Sequence, residues 1–285
     1  MTDFEENNQW DEIIKPKNRL FELHFGEIWR YRDLLMLFVR RDFVSVYKQT
    51  ILGPFWYLLQ ALLTTLTFTL IFGKVAKLPT DSTPPLLFYM AGIVCWGYFS
   101  QCLMKTSNTF VNNASIFGKV YFPRLTVPVS IVISNLVSFG IQLLMFLGFL
   151  VYYYFQGMAV QLNSALLLFP VLIILMAGMG LGMGIVISSM TTKYRDLQYL
   201  LTFGIQLLMY ATPVIFPLSF FGGKLRTLVL LNPMTSIVET FKYAFLGSGT
   251  FNWFYLLYSA VFTLVILIIG IIMFNKVERS FMDTV

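Results

Sequence analysis

The residues of this chain that could handle a nucleotide, a metal or a covalent intermediate are few, and their spacing is wrong for each task. A phosphate-cradling loop needs G-x-x-x-x-G-K-[ST], so that backbone amides, the lysine and the hydroxyl meet the phosphates and their Mg2+. Gly73-Lys74, Gly118-Lys119 and Gly223-Lys224 each lack the following hydroxyl and the earlier glycine, which excludes ATP binding through such a loop. Gly178, Gly180, Gly182 and Gly184 lie inside an apolar stretch rather than after a strand. They read as overlapping small-xxx-small surfaces for close helix packing, not as a dinucleotide fingerprint. His24, the only histidine, has no neighbouring nucleophile, so a triad or zinc site has little support. Cys95 and Cys102 are seven residues apart. On one helix that is about 10 Å, beyond disulfide reach.

With so little reactive chemistry, the composition carries the argument. Of 285 residues, 57% are hydrophobic and only 12% charged, with 29 Phe, 15 Tyr and 5 Trp, and the mean hydropathy is +0.73. A soluble surface needs roughly twice that charge. An ordinary soluble enzyme, a disordered chain and a disulfide-stapled miniprotein are all excluded, leaving an all-α polytopic membrane protein. The net charge of +6 fits basic loops that anchor a membrane chain. No basic stripe or recognition module accompanies it, so nucleic acid is not an expected partner. Met1 to Glu12 carries five acids and no base, and does not read as a cleavable signal peptide.

Six stretches can span about 30 Å of hydrocarbon: roughly 54–73, 86–104, 127–153, 165–190, 197–217 and 254–274. None contains Asp, Glu, Lys, Arg or His. Sorting the 20 Lys and Arg by loop puts 15 on the side of both termini and five opposite, so both termini are expected in the cytoplasm. The chain then divides into a tail over 1–26, an interface helix over 27–50 and a transmembrane domain over 51–285.

The interface helix follows from period. Ile28, Tyr31, Leu35, Phe38, Val39 and Val46 share one face, largely opposite Arg30, Asp33, Arg40, Arg41 and Lys48. Such a helix lies in the membrane surface rather than crossing it. Gly53 and Pro54 permit a sharp turn into the first span. Between spans five and six, residues 213–251 alternate apolar patches with Pro217, Gly222, Gly223, Pro233, Gly247 and Gly249. Too broken to span twice, this segment either dips in and returns or lies flat as a hairpin of two amphipathic helices. Between spans two and three, Ala114 to Arg124 suggests a short helix stopped by Pro123, with Ile116, Phe117 and Val120 beside Lys119. It is either an apolar plug for a partner's groove or a loop folded onto its own helices.

The charge-free spans bear on energetics. Proton relays and many ion sites need carboxylates within the membrane. Ion sites of carbonyls and hydroxyls remain open, but otherwise this chain must draw its energy from elsewhere.

Several of these residues together resemble the membrane subunits of ABC-2 type exporters for cell-surface polysaccharides, the O-antigen, capsule and teichoic-acid permeases. The resemblance rests on Arg41-Asp42, Tyr47-Lys48-Gln49-Thr50, Leu52-Gly53 and Trp56 to Gln60. It continues with Lys119-Val-Tyr-Phe-Pro-Arg124, Thr212-Pro213-Val-Ile-Phe-Pro217, Leu231-Asn232-Pro233 and Glu239. Ala61 departs from the pattern, since many relatives have proline there. The resemblance implies a homodimer of six-span subunits in the bacterial inner membrane, contacting membrane lipid, with a re-entrant outer segment. Two copies of a separate cytoplasmic ABC ATPase would hold the ATP and Mg, and this chain would hold no cofactor and no metal and would not be an enzyme. The cargo would be a polysaccharide on undecaprenyl diphosphate.

Roles follow from that resemblance. The interface helix and the 114–124 loop would transmit ATPase closure, with Arg41, Asp42, Phe117, Lys119, Arg124, Lys193 and Arg195 as contacts. Pro213, Pro217, Asn232, Pro233 and Glu239 would form an outer gate. A sliding polymer needs broad, weak contacts from aromatic faces and amides. Phe55, Trp56, Tyr57 and Gln60, then Tyr89, Trp96 and Tyr98, then Gln206 and Tyr210, would supply them. Two other readings compete: an ABC-2 exporter of a smaller lipid or drug, distinguished by whether the dimer encloses a continuous aromatic-lined channel, and a polytopic glycan-processing enzyme, distinguished by turnover in the purified chain alone.

Overall fold

The computed structural model describes residues 25–48, 50–117, 119, 122–158, 163–194 and 196–281, and among these every regular element is helical. The expected interface segment forms α1 (Phe25–Arg30) and α2 (Arg32–Lys48). Along α2, Phe38 is buried and Leu34, Leu35 and Val39 are half-buried, while Arg32, Asp33, Arg40, Arg41 and Lys48 are exposed, as the spacing requires. The side chains of Ile28 and Val46 lie outside the described residues. Gly53 then turns the chain at φ +49°, a left-handed conformation that glycine adopts without a Cβ clash.

Among the described residues, five helical segments are long and apolar enough to cross a membrane: Phe55–Val75, Pro85–Ser107, Thr126–Phe155, Ser164–Thr191 and Trp253–Val277. The first begins as α3 (Phe55–Phe68), runs unbroken through Ala61, and widens into a π-helical turn over Thr69–Val75. The remaining expected stretch, 197–217, is helical over the 14 residues of α8 (Leu197–Tyr210). That is about 21 Å of helix. The chain leaves the helix at Ala211-Thr212-Pro213, where proline has no amide hydrogen to continue the ladder.

α4 (Pro85–Ser107) is the axis of the bundle. Over residues 86–99 it is apolar all round, and Leu87, Tyr89, Met90, Cys95, Phe99 and Cys102 have no exposed surface. A helix without a polar face must be covered on every side. α3, α6 (Thr126–Phe155), α7 (Phe169–Thr191) and α10 (Pro233–Leu246) cover it.

The glycines of α7 explain how closely these helices approach. A Cβ on Gly180 would sit 2.7 Å from Cys102 Cβ, and one on Gly184 would sit 2.7 Å from Thr106 Cβ, both on α4. A Cβ on Gly178 would lie 2.8 Å from Thr263, and one on Gly182 would lie 2.9 Å from Ile266, both on α11 (Trp253–Phe281). The run therefore provides two four-residue-spaced surfaces, one for each neighbour, as the sequence suggests.

α4 also measures the molecule. Its first turns meet α10, where Lys242 lies over the Phe88 ring, and its last turn brings Lys105 into the cleft beside Asp42 of α2. The two ends of the bundle can be followed from these contacts.

Candidate functional site

At the α10 end, residues 211–250 form one hydrogen-bonded unit. Asn232 caps α10: its side-chain oxygen accepts from the Met234 amide at 3.1 Å, and Pro233 takes the first helical position, where no amide hydrogen is needed. The same side chain donates to Thr212 Oγ1 at 2.8 Å, tying the cap to the end of α8. Gly247 ends α10 at φ +69°, in the left-handed cap position. Between the caps, α10 is buried almost throughout, and Phe241 and Phe245 pack with Phe146 of α6 and Phe169 of α7.

Two charges lie within this unit. Lys242 is fully buried, donates to the Pro213 carbonyl at 2.5 Å and stands 3.4 Å from the Phe88 ring centroid. Glu239, one turn earlier, is 2% exposed, and its Oε2 accepts from the Thr250 amide at 3.0 Å and the Thr250 hydroxyl at 3.3 Å. Burial holds Lys242 down to about 8, opposed by the carboxylate of Glu239. Burial raises Glu239, opposed by Lys242 and the Thr250 bonds. Of the residues expected at an outer gate, Pro213 is tied to α10 through Lys242, Asn232 and Pro233 cap α10 and tie it to Thr212, Glu239 holds Thr250 beyond the end of α10, and Pro217 starts the short turn Leu218–Phe220. Sequence reading missed Lys242 by counting it only as a loop charge. The signal was Glu239-x-x-Lys242, two opposite charges on one face of an otherwise apolar helix.

At the α2 end, a polar cleft of about 230 Å3 opens between α2, α3, α4 and α6. Lys105 donates to Asn135 Oδ1 at 2.7 Å, and Asp42, Ser134, Ser138 and Tyr57 complete much of the wall. Arg41 pairs with Asp42 at 2.8 Å and lies 4.8 Å from the Phe38 ring centroid, all within α2, and Phe38 in turn meets Phe122 with ring centroids 5.7 Å apart, which ties α2 to the bundle.

The 114–124 region differs from an exposed plug. The helix is α5 (Thr109–Phe117), upstream of the expected one, and Phe117 is turned inward at 1% exposure. It packs against Phe110 and Phe122 in a cluster that includes Phe38 and Phe274. Arg124 is 5% exposed, with its guanidinium 5.4 Å from the Phe117 ring centroid and one nitrogen 3.5 Å from the Phe117 carbonyl. The physical reason is that a phenylalanine ring gains more from a ready-made aromatic cluster than from water. Lys119 and Lys193 remain exposed. Arg195, together with residues 118, 120 and 121, lies outside the described residues.

The expected conduit residues separate into two groups. Phe55, Trp56, Gln60, Gln206 and Tyr210 are exposed on α3 and α8. Tyr89, Trp96 and Tyr98 lie within the core around α4, and Tyr57 is half-buried on the wall of the cleft. α3 with its π-helical continuation, and α8, carry much further apolar surface, including Leu63, Leu66, Leu70, Leu200, Phe203 and Leu207.

Comparison with known proteins bears on the same regions. The ABC-2 type transporter family matches residues 33–246, from α2 to the end of α10. The chain is 26% identical over 251 residues to the O-antigen export system permease protein RfbA of Klebsiella pneumoniae, covering 88% of this chain and 94% of that protein. It is 29% identical over 223 residues to the protein of the same name from Myxococcus xanthus, covering 77% and 82%. It is 24% identical over 237 residues to the polysialic acid transport protein KpsM of Escherichia coli, covering 82% and 89%. The family match takes in the interface helix, the α4-centred bundle and the capped α10 unit together, and the chain belongs to the ABC-2 type transporter family.

Proposed function

We propose that this chain is the membrane subunit of an ATP-driven exporter of lipid-linked surface polysaccharide in the bacterial inner membrane. It works as a homodimer with two copies of a cytoplasmic ABC ATPase. The observation that carries the reading is the exposed side of α3 and of α8, where Trp56 and Gln60 on the one and Gln206 and Tyr210 on the other stand among large exposed apolar side chains. The sequence likeness to O-antigen and polysialic acid exporters supports the same cargo class.

These surfaces suit two tasks at once. Their leucines pack against lipid or a second copy, while rings and amides give a sugar chain contacts that exchange at small cost. The subunit has six membrane-inserted helices, with α8 as the shortest and the α9–α10 unit re-entering from outside; α9 spans Gly223–Leu231. The bias of basic residues puts the α2 end in the cytoplasm, where anionic lipid and the diphosphate of the cargo meet Arg40, Arg41 and Lys48. ATPase contact falls on the exposed Lys119 and Lys193. The Phe38–Phe117–Phe274 cluster behind them carries the push from α2 and α5 to α7 and α11.

The test is reconstitution of the dimer in vesicles loaded with lipid-linked glycan, with and without its ATPase and ATP. Export requires both. Export by this chain alone removes the reading, and export of small lipids with no glycan movement favours the smaller-cargo alternative.

A further inference from the structure

A second cavity, about 380 Å3, lies between α9, α10 and the first turn of α11, beside the α10 lock that Lys242 forms with the Pro213 carbonyl. Its floor is made by Glu239 and Ser236, both buried, and its rim by Arg226, Thr250, Asn252 and Tyr255. We propose that this cavity is a sugar-binding subsite that holds an uncharged unit of the polysaccharide at the α10 end. The proposal deepens the exporter reading and rests on it.

The donors and acceptors decide the ligand class. Glu239 Oε2 is occupied by Thr250, whereas Oε1 has no hydrogen-bond partner among the described residues. Oε1 is therefore the acceptor that Glu239 leaves to an occupant of the cavity it lines. The Asn252 side-chain oxygen Oδ1 accepts from the Phe254 amide at 2.8 Å, so the NH2 group is what this side chain has left to donate. Among the described residues the Arg226 guanidinium has no ion-pair or hydrogen-bond partner, and the Tyr255 hydroxyl has none either.

An acceptor at the floor and donors at the rim match vicinal hydroxyls, each of which both donates and accepts. Tyr255 adds an aromatic edge or face for C–H groups. A phosphate entering this cavity would meet the Glu239 carboxylate. A metal cation would meet Arg226, with the Lys242 ammonium one turn beneath Glu239, and would find a single carboxylate where hard cations take six or more oxygens. A neutral polyol is opposed by neither charge. The volume is at the small end of ligand pockets, about 300–1,000 Å3, and suits one or two sugar rings rather than a long segment. Because Glu239 lies one turn from Lys242, an occupant also touches the helix that holds Pro213.

The experiment uses the full-length protein in lipid nanodiscs. The probe is the host's surface polysaccharide, released from its lipid by mild acid and cut to short oligosaccharides. Saturation-transfer NMR detects contact between protein and sugar ring protons. Binding is expected to weaken about tenfold in Glu239→Gln, which removes a charge-assisted bond, and in Arg226→Gln, a change at an exposed position with no partner to lose. Absent transfer in the wild type, unchanged affinity in both variants, or displacement of the sugar by inorganic phosphate overturns the subsite. ATP-driven export by the reconstituted complex is measured alongside. Export without oligosaccharide binding at this cavity sinks the subsite and leaves the exporter reading intact; oligosaccharide binding without export sinks the exporter reading, and with it the assignment of the bound sugar as cargo.

Discussion

Replacing Lys242 by methionine tests the α10 lock most directly, because methionine keeps the length and packing of the side chain and removes its charge. Three things change together. The bond to the Pro213 carbonyl is lost, the contact with the Phe88 ring becomes neutral, and Glu239 stays buried without the cation one turn away. Hydrogen bonds to charged groups contribute about 1.5–3 kcal/mol, and a desolvated cation–π contact contributes about 2 kcal/mol. These overlap with the cost of leaving one member of a buried charge pair alone, about 3–5 kcal/mol. The terms are not additive, so we expect a loss of about 3–5 kcal/mol, on the order of 10 °C in melting temperature for a chain of this size. Thermal unfolding in detergent, followed by tryptophan fluorescence, measures it. The double variant Lys242→Met, Glu239→Gln is expected to recover part of the loss, since no uncompensated charge remains. A double variant no more stable than the sum of its single changes, or a single Lys242→Met variant that melts with the wild type, would refute the electrostatic account of the lock.

Other expectations are as specific. Gly184→Val drives side-chain atoms into Thr106 and destabilises by about 1–3 kcal/mol, whereas Gly204→Ala, with open space around its Cβ in the interior of α8, leaves the melting temperature the same or slightly higher; the pair of melts checks close packing of α7 on α4. Asn232→Ala removes a helix cap and the bond to Thr212, at about 1–2 kcal/mol, and hydrogen exchange should quicken at the start of α10 more than in α4. Phe117→Ala opens a hole in an aromatic cluster and lowers stability by about 3–5 kcal/mol, whereas Lys119→Ala leaves stability alone and weakens ATPase pull-down; the reverse pattern would return the loop to the role of an exposed plug.

Much of the architecture was legible in one dimension because a membrane imposes simple demands. Length and freedom from charge marked the helices that cover α4, and the boundaries of 86–104, 127–153 and 165–190 fall within a few residues of the helices found. Amphipathic spacing identified the inward side of α2, and the four-residue spacing of small residues identified α7 as a close-packing helix. These are local properties: hydrocarbon thickness, helical period and the size of a side chain decide them, and no distant residue is needed.

Folding decided which side chains face what. Tyr57, Tyr89, Trp96 and Tyr98 have the same composition signal as Trp56 and Tyr210, yet α6 and α7 cover the core rings while Trp56 on α3 and Tyr210 on α8 stay exposed. Phe117 could be read as a plug until Phe38 of α2 and Phe274 of α11 joined Phe110 and Phe122 in one cluster with it. Lys242 counted as a loop charge until Pro213, 29 residues earlier, supplied its carbonyl. Periodicity states that a residue has an inner and an outer side on its own helix. Only the packing of distant helices determines whether that side meets lipid, a polymer, or another ring.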